Sequence, residues 1–87
     1  MPKYNVQFAP AAARQLRKLT PDVQSRIASV IDKLSNNPLP SGVRKLSGPE
    51  GFYRVRVGDY RIVYQFFSGK LLILVVRVGH RKDIYDY

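Results

Sequence analysis

The second half of the chain contains three consecutive segments rich in β-branched and aromatic residues, at 52–57, 60–67 and 70–78. The dipeptides Gly58-Asp59 and Ser68-Gly69 separate them, and both are typical of the two-residue loops that close β-hairpins. Strands joined by loops this short must run antiparallel, so the pattern predicts a three-stranded meander. Such a sheet needs further elements to cover one of its faces.

The first half of the chain predicts a short strand followed by two helices. Residues 3–8 alternate between apolar and polar side chains, as in a half-buried strand. A first helix begins at Pro10, and a second has Thr20 as its N-cap and ends at the Asn-Asn-Pro sequence of residues 36–38. The segment 43–46 is a candidate short strand within a connection that contains several Pro and Gly residues.

Together these elements predict an α+β fold. We expect a small, mostly antiparallel meander sheet with an N-terminal strand, and a two-helix hairpin packed on one face. A chain of 87 residues buries only roughly 60–65% of the surface that its unfolded form exposes. Residues 1–87 are therefore predicted to form a single domain.

The first hairpin of the meander places several arginines on one face. If the loop at residues 58–59 has two residues, Arg56 lies opposite Arg61 and Arg54 lies opposite Val63. The other face is predicted to pack under the helices, and its members are Tyr53, Val55, Val57, Tyr60, Ile62, Tyr64, Phe66, Leu71, Ile73 and Val75.

Three arginines on one face, with no carboxylate in the same strands, predict a site for an anion. Like charges directly opposite one another destabilise a sheet, and the planar guanidinium group matches phosphate oxygens in a bidentate way. The alternative interpretation is a solvated face whose long side chains fan outward.

Composition narrows the function classes further. The chain has 15 Lys and Arg against 6 Asp and Glu, a net charge of +9, which indicates nucleic acid, an acidic protein or an anionic membrane surface as partner. Because it has no cysteine and one histidine, disulfide scaffolds, zinc fingers and multi-histidine metal sites are excluded, and we expect no cofactor. The first residues lack the apolar run typical of a signal peptide, and the longest apolar stretch, 71–76, is too short to span a bilayer, so a cytoplasmic location is expected.

The last nine residues, GHRKDIYDY, contain candidate reactive groups. His80 is the only histidine and is therefore the default candidate for general acid or base work, although an ordinary surface histidine is the alternative. Tyr85 and Tyr87 are candidates for stacking on bases or for packing the tail onto the sheet.

Three stretches of the sequence resemble the RelE branch of the RelE/ParE toxin superfamily. They are KLSGPEGFYRVRVGDYRIVYQF at 45–66, VVRVGHRKDIY at 75–85 and AAARQLRKL at 11–19. The resemblance covers nearly the whole chain, and the family fold agrees with the one predicted above. It implies a toxin that enters the ribosomal A site, cleaves messenger RNA without a metal ion and is held inactive by a cognate antitoxin.

The resemblance also implies roles for single residues. Arg54 and Arg56 stand where the family has two lysines, and Arg61 matches its phosphate-binding arginine. Arg81 matches the family's tail arginine, and Tyr85 matches its tail tyrosine. The resemblance makes Tyr85 a candidate either for the general base or for a group that stacks on a nucleobase.

Two assignments in the tail stay open. His80 replaces a lysine of the best-known family pattern, so the general acid is either Arg81 or His80. Tyr87 is the alternate to Tyr85.

Two other functions compete with the ribonuclease. A ParE-like toxin has a similar architecture but inhibits DNA gyrase by binding, and it generally lacks the arginine and tyrosine set described above. A plain RNA-binding module would place aromatic residues among the basic ones, whereas most aromatics here are predicted on the opposite face.

Overall fold

The chain forms one five-stranded sheet and two helices in the computed structural model, which describes residues 3–46 and 51–80. The elements in chain order are β1 (Asn5–Phe8), α1 (Pro10–Arg17), α2 (Pro21–Asn36), β2 (Arg44–Lys45), β3 (Tyr53–Val57), β4 (Tyr60–Phe67) and β5 (Leu72–His80). The strand order is β1-β5-β4-β3-β2, with β1 parallel to β5 and every other pair antiparallel. The predicted α+β class is confirmed, and neither described helix is long and apolar enough to cross a membrane.

The helical hairpin is held by its capping residues and by one side chain at its corner. The Thr20 hydroxyl accepts a hydrogen bond from the Val23 N–H at 3.4 Å, which confirms Thr20 as the N-cap of α2. The Gln24 side-chain amide donates to the carbonyl oxygen of Leu16 at 3.0 Å, within the last turn of α1, and to that of Leu19 at 2.9 Å, just beyond the helix. These bonds tie the end of α1 to the first turns of α2.

The core lies between the helices and one face of the sheet. The sheet contributes Val57, Ile62, Tyr64, Ile73, Val75 and Val78, and the helices contribute Ala12, Ile27, Ile31 and Leu34. Five of these sheet residues belong to the face predicted to pack under the helices. The helices therefore cover one face of the sheet, as expected, and the arginines of β3 and β4 project from the other.

The β4–β5 connection differs from the prediction. The prediction of a two-residue loop at 68–69 is wrong, because Phe67 pairs with Leu72 and residues 68–71 form the turn. Leu71 lies in that turn with φ +50° and is 37% exposed, so its predicted place in the core is also wrong. The shift of two residues preserves the alternation of faces, so Ile73 and Val75 still point into the core.

A β-bulge interrupts β5. Val63 pairs with Arg77 while Tyr64 pairs with Val75, so Val76 is an extra residue without a partner of its own on β4. Beyond the bulge Val78 returns to the core, and its N–H donates to Oε1 of Gln15 on α1 at 2.8 Å. β1 pairs with β5 only as far as Val75, so this side chain bonds to β5 at the edge that β1 no longer covers, while β4 still pairs on the other side.

Candidate functional site

Two pairs of opposed arginines lie on the face of the sheet that the helices leave open. Arg56 of β3 pairs with Arg61 of β4, which confirms the predicted register of this hairpin. Arg54, two residues earlier on β3, pairs with Arg44 of β2 on one side and with Val63 on the other. Directly opposed residues in a sheet have Cβ atoms about 5 Å apart, so each pair brings two guanidinium groups within reach of one ligand.

These four arginines line an open cavity of about 690 Å³, together with Gly42 and Val43. Gly42 has φ +91°, a left-handed conformation that glycine adopts without steric cost. The chain turns there immediately before β2, and the turn delivers Arg44 to the cavity wall. The predicted residues Arg54, Arg56 and Arg61 are thus brought together.

The cavity is strongly positive. Burial lowers the pKa of Arg54, and the nearby charges of Arg61, Arg44 and Arg56 lower it further. Over residues 3–46 and 51–80, no carboxylate forms an ion pair with any of these four arginines, and the ion pair at Lys3 and Asp32 involves none of them. The cluster therefore carries an electrostatic cost that a bound anion would relieve.

Arg61 has a buried polar atom that finds no partner among the described residues. The Nε of Arg61 is buried and makes no hydrogen bond within the described part of the chain. A buried donor without an acceptor costs about 1–3 kcal/mol. Arg61 is therefore a lining arginine whose hydrogen-bonding capacity the described residues leave unfilled.

His80 does not join the arginine cluster. It pairs with Tyr60 across β4 and β5, and the two rings meet edge to face with centroids 5.5 Å apart. Tyr60 alternates with Arg61, so this contact is on the helix side of the sheet. The other predicted tail residues, Arg81, Tyr85 and Tyr87, lie outside the described residues.

Sequence reasoning missed two arginines on this face. Arg44 could be placed only if β2 was known to pair with β3, and the intervening connection gives no register. Arg77 pairs with Val63, which aligns it with Arg54 on the same face, and the bulge at Val76 causes this placement. A run of adjacent apolar residues at 71–76 gives no signal of which one is extra.

We compared the sequence and the fold with those of known proteins to identify the class of protein that carries this cationic cavity. The sequence model described as "ParE toxin of type II toxin-antitoxin system, parDE" matches residues 6–85. The chain belongs to this family of type II toxin–antitoxin toxins.

Several similar proteins are named RelE toxins, which confirms the predicted RelE-type resemblance. Toxin RelE3 of Methanocaldococcus jannaschii is 36% identical over 86 residues, covering 94% of this chain and 96% of the relative. The mRNA interferase toxin RelE of Escherichia coli K12 is 26% identical over 87 residues, covering 95% and 90%. The RelE of the archaeal RelE–RelB complex from Pyrococcus horikoshii superposes with a TM-score of 0.80 at 27% identity, covering 91% and 96%.

Proposed function

We propose that this chain is an mRNA endoribonuclease, the toxin of a type II toxin–antitoxin pair that acts in the cytoplasm on messenger in the ribosomal A site. The observation that carries the proposal is the open cavity lined by Arg44, Arg54, Arg56 and Arg61. A cavity with four guanidinium groups and no carboxylate partner among the described residues suits a phosphodiester backbone. The mRNA interferase relative supports the choice of RNA over other anions.

The reaction we propose is an internal transfer at phosphorus. The RNA 2′-oxygen forms a bond to the adjacent phosphorus as its proton passes to a base. The bond from phosphorus to the 5′-oxygen then breaks, and an acid donates a proton to that leaving oxygen. The products are a 2′,3′-cyclic phosphate and a free 5′-hydroxyl. Negative charge grows on the phosphoryl oxygens in the transition state, where fixed guanidinium groups stabilise it.

Specific residues are proposed for each role. Arg61 with Arg56 binds the reacting phosphate, because the two are register partners on the cavity wall. We propose Tyr85 as the base, with Tyr87 as its alternate. For the acid we favour Arg81 over His80, because the His80 ring contacts Tyr60 on the side of the sheet away from the cavity.

A cognate antitoxin is the proposed protein partner. Members of this fold occur in RelE–RelB complexes, such as the one from Pyrococcus horikoshii. The net charge of +9 favours an antitoxin segment with acidic residues and also favours approach to the ribosome.

The test is a primer-extension map of a translated messenger in a purified translation system. We expect cuts confined to translated codons, and we expect Arg61→Ala to slow cutting by about 10²–10³-fold, the usual effect of removing one transition-state donor. Arg17→Ala removes the same charge from an exposed position on α1 and should leave cutting nearly unchanged. Intact messenger together with a DNA supercoiling defect would instead identify a gyrase inhibitor.

Independence from a metal ion is a separate prediction. Chelation would dismantle the ribosome, so the messenger should carry a phosphorothioate at the cut linkage. If guanidinium groups alone contact the phosphoryl oxygens, replacing part of the Mg²⁺ by Mn²⁺ will not change the slowing caused by sulfur. Recovery of the rate in Mn²⁺ would indicate a metal ion bound to the reacting phosphate.

A further inference from the structure

The arginines in the cavity form two separate pairs. Arg56 and Arg61 are opposed across β3 and β4, and Arg44 and Arg54 are opposed across β2 and β3. Arg54 and Arg56 are two residues apart on the same strand, so the pairs are offset by about 6.6 Å along it. The two pairs are also displaced by one strand spacing, about 4.8 Å, across the sheet, so their centres lie about 8 Å apart at the backbone. The long arginine side chains can close this distance to the spacing of neighbouring phosphates in an extended nucleic-acid strand.

One phosphodiester is too little charge for this cavity. A single linkage carries one negative charge, whereas the four lining arginines carry four positive charges without a carboxylate partner in the described part of the chain. The volume of about 690 Å³ is that of a site for a drug-sized ligand, well above what one phosphate group fills.

We propose that the cavity holds two neighbouring phosphodiesters of one RNA strand. The Arg56–Arg61 pair binds the reacting linkage, and the Arg44–Arg54 pair binds the next linkage along the strand. This inference rests on the proposed function, to which it adds a second phosphate subsite on β2. Arg44 acts there as a binding residue that positions the strand.

The position of β2 supports a distinct role for Arg44. β2 is the edge strand of the sheet and is only two residues long, so the RNA can leave the cavity across it without meeting another strand. Each pair combines one exposed arginine, Arg44 or Arg56, with one half-buried arginine, Arg54 or Arg61. Both subsites are therefore open to solvent on one side.

The test measures binding of short 2′-O-methyl RNAs, which cannot be cleaved because their 2′-oxygen carries no proton. A dinucleotide has one phosphodiester and a trinucleotide has two. We expect the trinucleotide to bind more tightly to the wild-type protein, with a salt dependence steeper by about 0.7 in the log–log slope. Arg44→Ala should remove this advantage while leaving dinucleotide affinity within about twofold, whereas Arg61→Ala should weaken both.

Neutral linkages locate the two subsites. Two trinucleotides, each with a methylphosphonate at one linkage, should both bind the wild-type protein less tightly than the fully charged RNA. In the Arg44→Ala variant, one of these two methylphosphonate replacements should no longer lower the affinity for the trinucleotide. Arg17→Ala is the matched control, because it removes the same charge outside the cavity and should weaken all RNAs slightly and equally. Circular dichroism and the melting temperature establish that each variant is folded.

Three results would overturn the second subsite. They are an Arg44→Ala effect equal to that of Arg17→Ala, an equal loss for dinucleotide and trinucleotide, and absence of binding by either RNA. If the subsite fails while messenger is still cut in translated codons, the proposed function stands with a single phosphate site. If two-phosphate binding holds while messenger stays intact, the cavity binds RNA and the proposed cleavage is wrong.

Discussion

Tyr64 is the largest fully buried side chain among residues 3–46 and 51–80, and its hydroxyl joins the sheet to the segment after α2. It donates a hydrogen bond to the carbonyl oxygen of Pro38 at 2.5 Å. Burial raises the pKa of Tyr64, and the neighbouring Tyr53 raises it further. The ring also stacks on Tyr53 with centroids 5.9 Å apart, so Tyr64 is fixed at both its polar and its apolar parts.

We predict that Tyr64→Phe lowers the free energy of unfolding by about 1 kcal/mol at neutral pH, because the Pro38 carbonyl loses its donor. The raised pKa gives the sign of the pH dependence. The stabilisation that the Tyr64 hydroxyl contributes is fully present below about pH 10, where the phenol is protonated in both the folded and the unfolded state. It is lost as pH rises toward the pKa of the folded state. Urea unfolding across this range should show the wild type approaching the variant; a constant difference would contradict the assignment.

At the residue scale, the sequence allowed part of the arginine cluster to be predicted. The shared face of Arg54, Arg56 and Arg61 could be predicted because a two-residue loop fixes the register of the hairpin it closes. The place of Arg44 could not be predicted, since the connection between it and its partner Arg54 carries no register signal. The roles assigned to Arg81, Tyr85 and Tyr87 stay predictions.

At the scale of elements, β5 depends on α1 for one of its backbone hydrogen bonds. Gln15 accepts from the Val78 N–H just beyond the bulge, in a part-buried setting. We predict that Gln15→Leu destabilises the fold by about 1–3 kcal/mol, the cost of a buried unpaired donor. Gln15→Glu keeps an acceptor of the same length and is the matched control.

Amide hydrogen exchange distinguishes this contact from general packing. In Gln15→Leu the Val78 amide should lose protection more than the Ile62 amide on β4, whereas Gln15→Glu should protect both. Equal loss at the two amides would mean that Gln15 acts through global stability alone.

The elements themselves were largely predictable, and the exceptions have physical causes. The bounds of β4 follow from β-rich residues between two turn signals, and α2 follows from its cap and its apolar periodicity. The turn at 68–71 was missed because Ser68-Gly69 also suits a shorter loop, and its length is fixed by pairing of Phe67 with Leu72. The parallel pairing of β1 with β5 is a tertiary contact that no local pattern encodes.

For the whole molecule, a net charge of +9 sets how stability responds to salt. The ion pair between Lys3 and Asp32 is exposed and contributes little, so screening should relieve repulsion more than it weakens attraction. We predict a melting temperature that rises with NaCl. Arg54→Gln should raise it at low salt and flatten its salt dependence, because burial and then three positive neighbours lower the pKa of Arg54, and salt screens the repulsion from those neighbours.

The comparison for this prediction is Arg17→Gln, which changes the charge by the same amount on an exposed position of α1. It should leave most of the salt dependence in place. A melting temperature that falls with NaCl would mean that attractive ion pairs dominate the stability of the fold.

The alternation of core-facing and cavity-facing side chains along β3 and β4 separates two kinds of substitution. Val57, Ile62 and Tyr64 hold the core, while their neighbours Arg56 and Arg61 face the cavity. Substitutions at every second position can therefore alter what the toxin attacks while the other positions preserve the fold. One scaffold can therefore carry different sites on the same sheet face, since fold and function are specified by different residues.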